Sequence, residues 1–203
     1  MLLNKHVPLE GTRPERIRKA LEMAGWYSNR SVDISEVEEY YAKCGVALTE
    51  GARQFFREYS GLAEHWWIDR DSTPNQGADF DFSLMPGADY LEPKDFMFDD
   101  GDYTVPSEDF NSISQIAGEE FVFVGHIGYY YPARVWIGAS GRIYATHEYD
   151  LVTHSFASVV ELIEWELAKQ AFDSVTIQME LTITPKQWEP PSRLPDKYRF
   201  KGL

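Results

Sequence analysis

Only one cysteine, Cys44, occurs in 203 residues, so the chain cannot close an internal disulfide and reads as a protein of a reducing compartment. Long apolar runs are missing too, and nothing approaches the roughly 18 apolar residues in a row that cross a bilayer. The opening stretch MLLNKHVPLEGTRPERIRKALEMAGW lacks the basic segment and apolar run of a secretory signal, so a soluble cytoplasmic protein is expected. Basic residues are scarce: 19 Lys and Arg stand against 33 Asp and Glu, for a formal net charge of −14. Such a charge repels duplex DNA and anionic membranes at long range, so neither is an expected partner, whereas a basic protein would be attracted. There is no G-x-G-x-x-G or Walker loop to hold a dinucleotide or nucleoside triphosphate.

What is present is a substantial apolar complement, 43% of residues with 15% aromatic, enough for a packed core. The length suits one domain, expected over residues 1–172, with a carboxy-terminal extension over 173–203 packed on it. The first third reads as three helices punctuated by glycine. Thr12 and Glu15 have capping-box spacing ahead of Ile17, Ala20, Leu21 and Ala24, and Gly25 can end that helix. Ser35 and Glu38 repeat the pattern ahead of Val37, Tyr40, Tyr41 and Cys44. Thr49 can cap a third helix carrying Ala52, Phe55, Phe56 and Tyr59.

The middle changes character. ADFDFSLMPG alternates around Phe80, Phe82 and Leu84 and is expected to be a strand, and a short helix is a weaker possibility over 109–117. FVFVGHI is apolar on both faces, which predicts a central strand covered on both sides. ARVWI and RIYATH flank WIGASGRIYA, whose glycines read as a hairpin turn. Phe156, Val159, Val160, Ile163 and Leu167 recur at helical spacing, VTIQMELTIT alternates as a strand, and the proline-rich end is expected to be an irregular tail.

Candidate chemistry is thin. Around Asp95, Asp99, Asp100 and Asp102, alignment on Gly101 puts Phe96 and Phe98 at ligand positions of a calcium loop, and these cannot coordinate a hard cation. No histidine pair has H-x-H or HExxH spacing, so no metal or other cofactor is expected. His126 and His147 could meet across neighbouring strands, in a structural role. Ser140 lies in GASG rather than G-x-S-x-G, and a strand rather than a helix follows it, so it is not read as a nucleophile. Cys44, on an apolar stripe, reads as a small buried hydrophobe.

Residues 69–109 hold twelve acidic side chains and two basic ones, beside the aromatic pairs and triplets Trp66-Trp67 and Tyr129–Tyr131. An aromatic patch in an acidic field suits a basic protein partner, because charge steers the encounter and rings supply interface energy. The candidate contact residues are Asp69, Asp71, Asp79, Asp81, Asp99, Asp100 and Asp102, with Trp66, Trp67 and Tyr130.

GWYSNRSVDI (25–34), YYAKCGVALTEGARQFFREYSGL (40–62) and SGRIYA (140–145) ahead of the last helix resemble the SUKH superfamily of bacterial immunity proteins, closest to its third subgroup. The likeness spans roughly residues 13–168 and rests on packing and turn motifs in order. It implies an α+β fold, with helices flanking a curved, mostly antiparallel β-sheet, here followed by a carboxy-terminal strand and irregular tail. It further implies a non-enzymatic antidote that binds and neutralises a cognate toxin of a polymorphic or contact-dependent system, often a nuclease or nucleic-acid deaminase. The family supplies no catalytic residues to carry over. Two other readings stay open at this point: a regulatory or scaffold domain with an endogenous partner, and a carboxylate- or metal-dependent hydrolase.

Overall fold

The structure, a computed structural model, describes residues 2–62, 65–69, 77–83, 108–128, 132–147, 152–168, 172 and 174–180. Its elements run in the order β1 (Leu2–Pro8), α1 (Arg13–Met23), α2 (Ser35–Lys43), α3 (Glu50–Tyr59), β2 (His65–Asp69), β3 (Gly77–Ser83), α4 (Glu108–Ala117), β4 (Phe121–Gly128), β5 (Ala133–Gly138), β6 (Ile143–Thr146), β7 (His154–Phe156), α5 (Val159–Glu166) and β8 (Ser174–Glu180).

The eight strands form one sheet in the order β1-β8-β2-β3-β4-β5-β6-β7, every neighbouring pair antiparallel. Strands β2 to β7 follow one another as a meander, and β8 returns to fill the place between β1 and β2. The α+β expectation holds.

Helix boundaries follow local chemistry. Glu15 reaches back to the Thr12 amide at 2.7 Å, the expected capping contact of α1. Thr49 Oγ1 accepts from the Ala52 amide at 3.1 Å and caps α3. At α2 the expectation is displaced: Ser35 is already inside the helix, and its amide and hydroxyl both donate to Asp33. The last helix is shorter than its periodicity predicts. Phe156 belongs to β7, and Ser158, whose hydroxyl accepts from the Glu161 amide at 3.2 Å, starts α5 at Val159. Strands β1, β2 and β7 have no counterpart among the sequence expectations.

Helices α1, α2, α3 and α5 cover one face of the sheet. Ile17, Leu21, Val37, Tyr41, Phe56 and Ile163 close there on Trp66, Val122, Ile127, Val135 and Ile137. Helix α4 covers part of the other face, where Ile113, flanked by Phe110 and Ala117, packs on Phe121, Phe123, Trp136 and Tyr144. β4 is thus buried on both sides, which is why FVFVGHI carries no alternation. Its register passes from Phe123↔Trp136 to Gly125↔Val135, leaving Val124 as the extra residue of a bulge. The Tyr41 hydroxyl donates to the Phe123 carbonyl at 2.7 Å, tying α2 to the strand at this irregularity.

Candidate partner-binding surface

Arg30 is 8% exposed and donates to the carbonyls of Glu58 and Ser60 at the end of α3. These are acceptors that a helix end leaves without intrahelical partners, and the guanidinium also meets the negative end of the helix dipole. Burial pulls the Arg30 pKa down, against the favourable field of Tyr27 and Glu58. Trp26 Nε1 donates to Glu58 at 3.1 Å, and the Val32 amide donates to the Arg57 carbonyl at 3.0 Å. The segment 26–32 is therefore a clamp on the carboxy-terminal end of α3. The Gly25-Trp26…Arg30 motif is architecture.

WIGASGRIYA has the same character. The Gly141 amide donates to the Gly138 carbonyl at 2.9 Å, and the Gly138 amide to the Arg142 carbonyl at 2.8 Å. With Gly141 at φ +85°, this is a type I turn followed by a left-handed residue, a common three-residue hairpin. Glu119 pins the turn from outside: it accepts from the Ser140 amide and hydroxyl at 2.7 Å and from the Tyr144 hydroxyl at 3.0 Å. Partial burial works to raise the Glu119 pKa, but the bonds from Ser140 and Tyr144, with the Arg142 charge, outweigh it and hold the carboxyl below its ordinary range. Ser140 is thus committed to a structural carboxylate. The start of α3 lies flush on the turn, since a Cβ on Gly51 would stand 2.2 Å from the Gly138 carbonyl oxygen.

The histidines fall apart as a group. β5 lies between β4 and β6, so His126 and His147 do not meet on neighbouring strands, correcting that expectation. His126 packs edge-on to Phe123. His147 and His154 both pack against Trp165, and His147 Nε2 lies 3.0 Å from Glu166. Burial pushes the Glu166 carboxyl up, opposed by the nearby imidazole. Among the described residues no three His, Cys, Asp or Glu side chains are grouped to hold a metal ion. Cys44 is half-buried at the end of α2 and packs against the main core.

The expected contact residues divide into three sets. Trp66 is fully buried in the main core and is removed from the candidate surface: its ring holds β2 to the helical layer. Positions 67 and 69 alternate with it along β2 and so fall on the opposite side of the sheet, the side that carries α4. Asp79 stands directly opposite Trp67, and Asp81 opposite His65, so positions 67, 69, 79 and 81 share that side. Asp71, Asp99, Asp100, Asp102 and Tyr130 lie outside the described residues.

A second feature, not anticipated from the sequence, lies where α4 meets the loop ahead of α3. An open groove of about 580 Å³ runs between α4 and the loop leading into α3, with Phe110 and Phe121 in its floor and Glu119 and Glu120 on its rim. Its signal in the sequence is the pair of carboxylates, Glu119 and Glu120, just ahead of FVFVGHI. No helix among the described residues is long and apolar enough to cross a membrane.

In comparison with known proteins, the family model described as SUKH-3 immunity protein matches residues 13–164. No curated protein and no solved structure matches the chain.

Proposed function

Since the chain belongs to the SUKH-3 immunity protein family, we propose that it is an antidote that acts by binding a cognate protein toxin and blocking it, without catalysis of its own. The observation that carries this reading is the extent of the family match, which runs from the start of α1 into α5 and includes both the clamp on α3 and the Ser140 hairpin.

The charge supports a finer statement about the toxin. A chain at −14 is suited to a basic target, and a nuclease or nucleic-acid deaminase needs a basic surface for phosphates. The acidic positions 69, 79 and 81, sharing one side of the sheet with Trp67, compete for that surface, and Asp71, Asp99, Asp100, Asp102 and Tyr130 extend the candidate set. On this reading the complex forms in the bacterial cytoplasm.

Co-expression with the toxin encoded beside this gene is the test. Rescue of growth together with co-purification of the two chains supports the proposal. Growth arrest despite ample folded protein refutes it for that toxin.

A further inference from the structure

We propose that the groove between α4 and the loop ahead of α3 receives a lysine or arginine side chain of the partner protein. This deepens the immunity reading and rests on it, since that reading supplies the partner.

The groove has an apolar floor and an acidic rim. Phe110 and Phe121, with ring centroids 4.8 Å apart, supply its aromatic lining, and Ala47 lines it from the loop ahead of α3. On the rim, the Glu119 carboxylate accepts from the Ser140 amide and the Tyr144 hydroxyl, which helps hold its pKa below the ordinary range. Glu120 beside it is exposed, with its backbone held by the Ala139 amide, which donates to the Glu120 carbonyl at 2.7 Å. No lysine or arginine lines the groove.

A cationic side chain matches both halves of this surface at once. Its aliphatic stem lies along the aromatic rings, and its charged head reaches the exposed Glu120 carboxylate, with the Glu119 charge beside it. An anion would meet the two glutamates unfavourably, and a purely apolar residue would leave the rim unused. The cavity, about 580 Å³, is within the roughly 300–1,000 Å³ of small-ligand pockets, enough for a side chain with some flanking backbone.

The site is also separate from the acidic positions of β2 and β3. The groove meets β4 at Phe121, whereas Asp81 pairs with Gly128 at the other end of that strand, about 20 Å away at the usual rise. Two contacts spaced this way would fix the orientation of the partner as well as attract it.

The test uses the full-length protein labelled with ¹⁵N and titrated with the capped peptide acetyl-Ala-Arg-Ala-amide, with its citrulline counterpart as the neutral control. The amides of Ala47, Ser114, Gly118 and Glu120 should shift with the arginine peptide, and binding of the citrulline peptide should be about tenfold weaker. Ala47→Trp, which fills the groove from an exposed position, and Glu120→Lys, which reverses the rim, should each remove those shifts while leaving the rest of the spectrum in place. Equal response to both peptides, or shifts that avoid these four amides, would overturn the proposal. With the toxin in hand, Ala47→Trp should weaken the complex at least about tenfold, as expected when a buried anchor is displaced. Undiminished affinity would overturn the groove as a toxin contact. Because the peptide titration contains no toxin, failed growth rescue with intact peptide binding would count against the immunity reading alone.

Discussion

Arg30 shows how a residue that looks functional can be architectural. A buried cation in a short motif invites a binding role, yet its donors are spent on two carbonyls 28 and 30 positions away in sequence. Arg30→Met should cost about 2–3 kcal/mol, since it leaves both carbonyls without their charged donor. Arg30→Lys should recover less than half of that, because one ammonium does not reproduce the two-pronged geometry. Urea unfolding of the three proteins measures both effects. Glu119 makes a pH prediction. Its folded pKa lies below the ordinary 4.5, so its contribution is complete above pH 4.5 and is lost as pH falls through the folded value. Glu119→Gln should therefore flatten the acid limb of a stability–pH profile, while lowering stability near neutrality. These partnerships were not legible in the sequence, because Glu119 meets Ser140 and Tyr144 only once the hairpin has folded.

Elements were legible where local chemistry sets them. Capping residues and apolar spacing located α1, α3 and the centre of α5, and the unbroken apolar run located β4. The misses have physical reasons. β7 is three residues long, too short for an alternation to show, and Phe156 fits the helical stripe that follows as well as it fits the strand. β1 pairs with β8 from the far end of the chain, so no local pattern announces it, and β2 is only five residues long between β8 and β3. The α3–hairpin contact carries a prediction at this scale. Gly51→Ala places a Cβ 2.2 Å from one backbone atom and 2.6 Å from another, neither of which can swing aside, and should cost about 3 kcal/mol or more. Gly141→Ala in the same turn meets nothing within 4 Å and should cost only about 1 kcal/mol, the strain of a positive φ. Thermal unfolding of the pair separates crowding from strain.

At the scale of the molecule, the helical layer occupies one face of the sheet and leaves the α4 side to carry the acidic positions of β2 and β3, while the groove opens between α4 and the loop ahead of α3. The order of motifs made the family legible. Which aromatic belongs to which side required the strand register, as Trp66 and Trp67 illustrate. Double reversal at Asp79 and Asp81 to lysine should slow association with a basic toxin about tenfold at low salt and have a smaller effect at high salt, readable by stopped-flow mixing. The central claim, neutralisation by direct binding, is tested most directly by titrating the purified cognate toxin with this protein and following the toxin's own enzymatic activity. Toxin activity should fall linearly and vanish at one equivalent. Full toxin activity in the presence of a large excess of folded protein would contradict it.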